Sequence, residues 1–278
     1  MTSTILLLGD PVSSSLSPGF QRAAFMALAI DCTYVAREVP PAGLAAVIDE
    51  IRADDRILGA NVTIPHKEAV IPLLDDLDSL ARKVGAVNTI NRQGTRLKGW
   101  NTDVEGFQRA LHEHFPSPAD GGGQGGGREP FPSPARGGGQ GGGRHIAIIG
   151  AGGAARAVAA ALQPTAEQIW VIARNPDQAR RLCADLDIVR GGPVGMDNMR
   201  ETVAGADLVV NATPTDLPPD GWLRPDQRLF DLRSRRSAEG RAMLLYQGAA
   251  SFAIWTGRPA PLLVMRTTLE RSAQSVSA

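Results

Sequence analysis

The sequence predicts an α/β protein built from two domains, and three observations carry that expectation. Its 278 residues exceed what one ordinary core organises and suit two medium domains. Both halves alternate short apolar runs with helix-length amphipathic segments, the pattern of parallel strands joined by crossover helices. Between the halves lies a duplicated tract, FPSPADGGGQGGGR from Phe115 and FPSPARGGGQGGGR from Phe131. That tract holds 12 of the 31 glycines, has almost nothing to bury and loses much backbone entropy on ordering. Residues 116–144 are therefore expected as an inserted disordered linker, not a phosphate cradle, which needs a strand and a helix around it. The expected division is 1–115, the linker at 116–144, 145–240, and C-terminal helices at 241–278 that pack back toward the first domain.

In chain order, ILLLG, TYVAREV, ILGANV and AVNTI read as strands of the first half. Its helices are expected at Pro18 to Ala29, Ala42 to Arg52, Leu77 to Val84 and Val104 to His114. In the second half, HIAIIG, IWVIA, LVVNA and RLFDL read as strands, with helices near Ala154 to Leu162 and Asp177 to Asp185. A long helical stretch from Ala242 to Trp255, and another after Pro261, close the chain.

Composition excludes several classes of function. Lys+Arg and Asp+Glu are 29 each, so no summed field collects nucleic acid or an anionic membrane. The arginines of the linker, Arg128, Arg136 and Arg144, are sparse and lack interleaved aromatics, which argues against single-strand binding. Cys32 and Cys183 stand far apart, outside any metal or redox spacing, and read as small buried hydrophobes in a reducing compartment, with no disulfide and no metal site. The run Ile5 to Leu8 has no basic leader and stops at Gly9, and no segment reaches the roughly 20 apolar residues of a membrane span. A cytoplasmic protein acting on a small molecule is expected, as a monomer or homodimer.

The segment HIAIIGAGGAARAVAAAL is a strand, a glycine turn and an alanine-rich helix, which places the glycines where a dinucleotide pyrophosphate meets a helix N-terminus. Gly150 permits the tight turn, Gly152 lets the backbone approach phosphates, and Ala155 stands where the third glycine usually sits. The second domain is thus expected to be Rossmann-like. An NAD site generally places an acid about 20 residues on, at the end of the second strand. Here that strand ends in Ala173, Arg174 and Asn175. Arg174 suits a 2′-phosphate, so NADP is favoured, with NAD as the alternative.

Three polar motifs in the first half exceed what a core or loop needs. In SSSLSP, Ser15 and Ser17 follow a strand and precede a helix opened by Pro18, so Ser17 is either a ligand-facing hydroxyl or a helix cap. In NVTIPHK, Lys67 lies at the mouth of the sheet. In NTD, Asp103 stands where a hairpin ends and a helix begins, again either functional or a cap. A lysine ammonium is a suitable proton donor to the alkoxide formed when a ketone accepts hydride, and an aspartate can orient it by a charge-assisted hydrogen bond.

Taken together, GDPVSSSLSP (9–18), GANVTIPHK (59–67), GAVNTI (85–90), GWNTDVEGF (99–107), GAGGAARAV (150–158), NATP (211–214) and MLLYQGAASFAIWTG (243–257) resemble the shikimate dehydrogenase family. The resemblance spans nearly the whole chain outside the linker. It implies NADP-dependent reversible reduction of 3-dehydroshikimate to shikimate, a step toward chorismate and the aromatic amino acids. It also implies that Lys67 and Asp103 form the catalytic pair. Ser15, Ser17, Thr63, Asn88, Asp103 and Gln247 fall at substrate positions, and Gly150, Ala151, Gly152, Gly153, Ala154, Arg174 and Gly240 at cofactor positions. A ring of Ser, Thr, Asn and Gln suits a substrate with several hydroxyls.

The chain also departs from that pattern. Ser14 replaces a usual histidine, and Gln21 with Arg22 replace a histidine and an asparagine. After Asp231 the family carries a tyrosine-containing loop, then a helix and a strand; here DLRSRRSAEGRAMLLYQ runs almost directly into the C-terminal helix, with Ser234 at the tyrosine position. The second domain is therefore expected to be shortened at its last helix and strand. Arg233, Arg235, Arg236 and Arg241 read as a solvated basic patch. The alternatives are a quinate-type paralogue, or a degenerate homologue that binds dinucleotide or polyol without efficient turnover.

Overall fold

A computed structural model describes residues 2–116 and 144–274. The expected linker falls outside the described residues, except for Pro116 and for Arg144, which belongs to a strand. The chain divides into two units, one formed by residues up to Gly106 together with those from Leu244 onward, the other by Phe107 to Met243.

In the first unit the elements are β1 (Ser3–Gly9), α1 (Ser17–Ala27), β2 (Cys32–Glu38), α2 (Leu44–Ala53), β3 (Ile57–Val62), α3 (His66–Ala69), β4 (Asp76–Leu77), α4 (Ser79–Val84), β5 (Thr89–Gln93), β6 (Arg96–Trp100) and the start of α5 (Asp103–His114). The sheet order is β2-β1-β3-β5-β6-β4. Strands β1, β2 and β3 are parallel, as the alternating pattern predicts, but β5 runs antiparallel to both β3 and β6. The sheet is therefore mixed, because a tight turn at Gly94, with φ of +65°, replaces a crossover helix between β5 and β6. The apolar run of β1 is explained by burial on both faces. Leu6 and Leu8 join Ile48, Ile51, Val62 and Ile90 on one side. Ile5 and Leu7 join Phe20, Phe25, Tyr34 and Phe252 on the other.

That second core includes the C-terminal helices α9 (Ala238–Thr256) and α10 (Leu262–Gln274). Leu245, Ala249 and Phe252 form one stripe along α9, and Phe252 stacks on Phe25 with ring centroids 5.1 Å apart. Helix α9 starts at Ala238 rather than at the expected Ala242, because Ser237 ends the preceding turn: its hydroxyl donates to Asp231 O and accepts from Gly240 N.

The second unit holds β7 (Arg144–Ile149), α6 (Gly153–Leu162), β8 (Ala166–Ile172), α7 (Pro176–Asp185), β9 (Gly191–Val194), α8 (Met199–Gly205), β10 (Leu208–Asn211) and β11 (Arg228–Asp231). All pairs in its sheet are parallel, in the order β11-β10-β7-β8-β9. This is the doubly wound architecture that the βαβ pattern implies. From Asp231 the chain turns into α9 with no intervening helix or strand among the described residues, as the sequence predicts, leaving β11 at the sheet edge. No helix among the described residues is long and apolar enough to cross a membrane.

Candidate functional site

Lys67 and Asp103 meet. Lys67 Nζ donates to Asp103 Oδ2 at 2.6 Å, and their side chains are only 13% and 5% exposed. Lys67 lies on the short helix α3, whose backbone is fixed from two sides. His66 Nε2 contacts Val39 O at 2.7 Å, and Val87 N donates to Lys67 O at 2.7 Å.

Of the two residues left open as caps, Ser17 and Asp103, neither acts as a helix cap. Asp103 is the first residue of α5, and the residue that caps the helix is Asn101, whose Oδ1 accepts from Asp103 N at 3.1 Å and Val104 N at 3.3 Å. Asp103 keeps its carboxylate for Lys67 and for Asn88, which donates to Oδ1 at 2.9 Å. Ser17 likewise makes no capping bond to α1. The Ser15 hydroxyl instead accepts from Ser17 N at 3.2 Å, and the buried Ser17 hydroxyl lies beside the Tyr34 phenol.

Asn88 is the hub that links these groups to α9. Its Nδ2 reaches Thr102 Oγ1 at 2.8 Å, Asp103 Oδ1 at 2.9 Å and Gln247 Oε1 at 3.1 Å, so two hydrogens serve three acceptors. Its Oδ1 accepts from Thr102 N at 2.8 Å. The sites expected from motifs on β5, α5 and α9 are thereby brought together through one buried amide. Thr63 is half-buried directly after β3, with Thr63 N bonded to Leu8 O at 2.8 Å.

Behind Asn88 lies a layer the sequence reading did not single out. Fully buried Ser251 donates to Gln247 O at 2.9 Å. With its one proton so placed, it accepts from Asn61 Nδ2 at 3.1 Å and from Thr89 Oγ1 at 2.7 Å. Tyr34 OH donates to Asn61 Oδ1 at 2.7 Å. Burial pushes the Tyr34 phenol well above its ordinary range, and a hydrogen bond with the Ser17 side chain only partly opposes that. The β3–β5 register that sets Asn61 opposite Thr89 creates this layer. Adjacency across an antiparallel pair was not visible in a pattern read as parallel.

In the second unit the glycine turn takes the expected form. Gly150 has φ of +117°, and a Cβ there would meet Ala212 O at 3.1 Å, so only glycine is tolerated without strain. A Cβ on Gly152 would meet nothing within 4 Å, leaving open space beside the first turn of α6. No side chain caps that helix, so its N–H groups are available to an anion. Ala155 is fully buried and allows close packing on the sheet. Ala151 is buried, and Gly153 and Ala154 are half-buried in the first turn. Arg174 is exposed after β8 and has no ion-pair partner among the described residues, whereas Asn175 caps α7. An open helix terminus with an unpaired guanidinium nearby in sequence fits a dinucleotide carrying an extra phosphate.

Gly240 is buried in the first turn of α9, and a Cβ there would lie 2.8 Å from Asp231 O and from the Arg233 and Leu232 carbonyl carbons. Packing against its own turn accounts for this glycine. Among the described residues no group of three or more His, Cys, Asp or Glu could hold a metal. Both cysteines are free, and burial pushes each thiol up to about 11.

Three family models match this chain: the shikimate dehydrogenase substrate binding domain over residues 7–90, shikimate/quinate 5-dehydrogenase over 138–218, and the shikimate 5′-dehydrogenase C-terminal domain over 240–270. The NADP(+) shikimate dehydrogenase of Moorella thermoacetica is 40% identical, over 98% of this chain and 94% of that protein. The chain belongs to the shikimate dehydrogenase family. The Salinibacter ruber member is 38% identical over 94% of each chain. The solved Thermus thermophilus shikimate 5-dehydrogenase, in complex with NADP(H) and shikimate, is 28% identical, with a TM-score of 0.76 over 98% of this chain and all of that one.

Within the family the shortened region differs in one further respect from the sequence reading. Arg233 is no solvated charge: its side chain is 18% exposed and its guanidinium is held by Asp231 and Asp216.

Proposed function

We propose that this protein catalyses the NADP-dependent, reversible reduction of 3-dehydroshikimate to shikimate. The observation that carries it is the buried Lys67–Asp103 pair, tied through Asn88 to Gln247, in a chain whose relatives are NADP-dependent shikimate dehydrogenases. Residues up to 115 with the C-terminal helices form the substrate-binding part, and residues 145–240 the cofactor part.

Lys67 gives a proton to the carbonyl oxygen as it becomes an alkoxide, and takes it back in the reverse direction. NADPH, when bound, supplies the hydride. Asp103 holds the ammonium in one orientation through a short charge-assisted hydrogen bond, and Asn88 fixes Asp103 by its other oxygen. One of the three ammonium protons thus holds Lys67 in place while the others stay available to the substrate, and each carboxylate oxygen keeps a second lone pair for a substrate hydroxyl. Ser15, Ser17, Thr63, Asn88, Asp103 and Gln247 bind the substrate's carboxylate and hydroxyls. Gly150 to Ala154 carry the pyrophosphate at the N-terminus of α6, Gly240 borders the cofactor, and Arg174 pairs with the 2′-phosphate. The protein acts in the cytoplasm, where NADPH is regenerated, as a monomer or homodimer without nucleic acid or membrane partners.

A steady-state assay crossing shikimate and quinate with NADP and NAD tests the assignment. The fastest turnover is expected with shikimate and NADP. Dominant turnover with quinate would move the protein to the quinate branch of its family. Calorimetric NADP binding without turnover on either polyol would mark it as a non-catalytic homologue.

A further inference from the structure

The shortened rim of the second unit raises the question of what now holds the loop beside the glycine turn. We infer that Arg233 is a positioning residue for the cofactor site, fastening the 211–216 loop against Gly150; this rests on the NADP reading above. Three observations lead there. The loop borders the turn, since a Cβ on Gly150 would meet Ala212 O at 3.1 Å and Thr213 Cγ2 at 3.3 Å. Asn211, fully buried at the end of β10, ties the near half of the loop: its Oδ1 accepts from Thr213 N at 3.1 Å and Thr213 Oγ1 at 2.7 Å, and its Nδ2 donates to Thr215 O at 2.8 Å.

Arg233 ties the far half. Its Nε donates to both oxygens of buried Asp231, Oδ1 at 3.0 Å and Oδ2 at 2.9 Å, its Nη2 donates to Oδ2 at 2.6 Å, and its Nη1 donates to Asp216. One planar guanidinium therefore bridges the end of β11 to the end of the loop, a geometry that a lysine cannot reproduce. Asp216 is 82% exposed, so its pair with Arg233 contributes little to global stability, and its effect is on where the loop rests. Strand β11 is the sheet edge, with nothing paired outside it among the described residues. Arg233 joins that edge to the far end of the loop, while Asn211 Nδ2 reaches Asp231 Oδ1 from its near end at 3.4 Å.

The test uses the full chain with Arg233→Ala, Arg233→Lys and Asp216→Asn, and reads NADP affinity by calorimetry, KM for shikimate, and amide exchange over 212–217 without ligand. Arg233→Ala is expected to weaken NADP binding about tenfold, Arg233→Lys and Asp216→Asn about threefold, with shikimate KM within twofold and faster exchange confined to the loop. Asp216→Asn changes an exposed group, so it reports even where Arg233→Ala fails to fold. Equal NADP affinity and exchange in all soluble variants overturns the inference alone. Absence of NADP binding by the unaltered protein overturns the cofactor reading, and the inference with it.

Discussion

The two units hold their chemistry by opposite means. In the first, side chains do it: Lys67, Asp103, Asn88, Gln247 and Ser251 form a buried network in which nearly every donor has an acceptor. In the second, the absence of side chains does it: Gly150 adopts a conformation denied to other residues and Gly152 leaves space above an uncapped helix. A network of side chains fails by deletion, because truncating one partner strands the others in a dry environment. A backbone cradle fails by addition, because any new atom occupies the ligand's place. The two kinds of site should therefore respond to opposite substitutions.

The largest effect is expected from deletion in the network. Lys67→Ala removes the proton donor and should lower kcat by about 10²–10⁴-fold, the usual range for a general acid, while NADP affinity measured by calorimetry stays unchanged. A kcat within threefold of the parent would break the assignment. Addition at the turn comes next. Gly150→Val combines a forbidden φ with a clash on Ala212 O, and should abolish measurable NADP binding while KM-independent substrate binding survives. Gly152→Ala is the sharper test, since the new methyl meets no protein atom. Folding should be intact by thermal melting, and NADP affinity should fall about tenfold from intrusion on the pyrophosphate path. Unaltered affinity there would mean the phosphates do not approach Gly152. Smaller again is Ser251→Ala, which leaves Asn61, Thr89 and the Gln247 carbonyl short of a partner. It should destabilise the fold by about 1–3 kcal/mol and lower kcat several-fold, seen in urea unfolding and turnover side by side.

The same contrast explains what the sequence revealed. The glycine turn was legible because its meaning is local: strand, Gly150, Gly152 and helix are contiguous, and the physics of a backbone cradle is written in adjacent residues. The Lys67–Asp103 pair was legible only through motif resemblance, since 36 residues separate the two and each alone reads equally as surface lysine or cap. The structure brings the two into contact and gives the capping role to Asn101. Asn61, Thr89 and Ser251 stayed hidden because their partners come from strand register and from a helix about 160–190 positions away. Strand β9 was missed for another reason. Its residues, GGPV, have poor strand propensity, and Pro193 is tolerated only because the strand lies at the sheet edge. Arg233 was read as solvated because its two acidic partners, Asp216 and Asp231, lie on separate elements.

The smallest effect concerns pH. Tyr34 lies in the buried network of the first unit and its phenol is held well above the ordinary 10.0, chiefly by burial. Cys32 in the first unit and Cys183 in the second are each raised from 9.0 to about 11, again chiefly by burial. For each group the unfolded chain releases its proton first, so the stabilising contribution is complete below the unfolded value and is lost as pH rises toward the folded one. The two cysteines therefore act between about pH 9 and 11, and Tyr34 from about pH 10 upward. Chemical unfolding followed from pH 8 to 11 should show stability falling over this range. Cys183→Ala should flatten the early part of the decline, and Tyr34→Phe the later part, at the expense of a lower plateau because Asn61 loses its donor. A Tyr34→Phe profile parallel to that of the parent above pH 10 would mean the phenol ionises without unfolding its surroundings, and the first unit would then be less rigidly closed around its network than its hydrogen bonds imply.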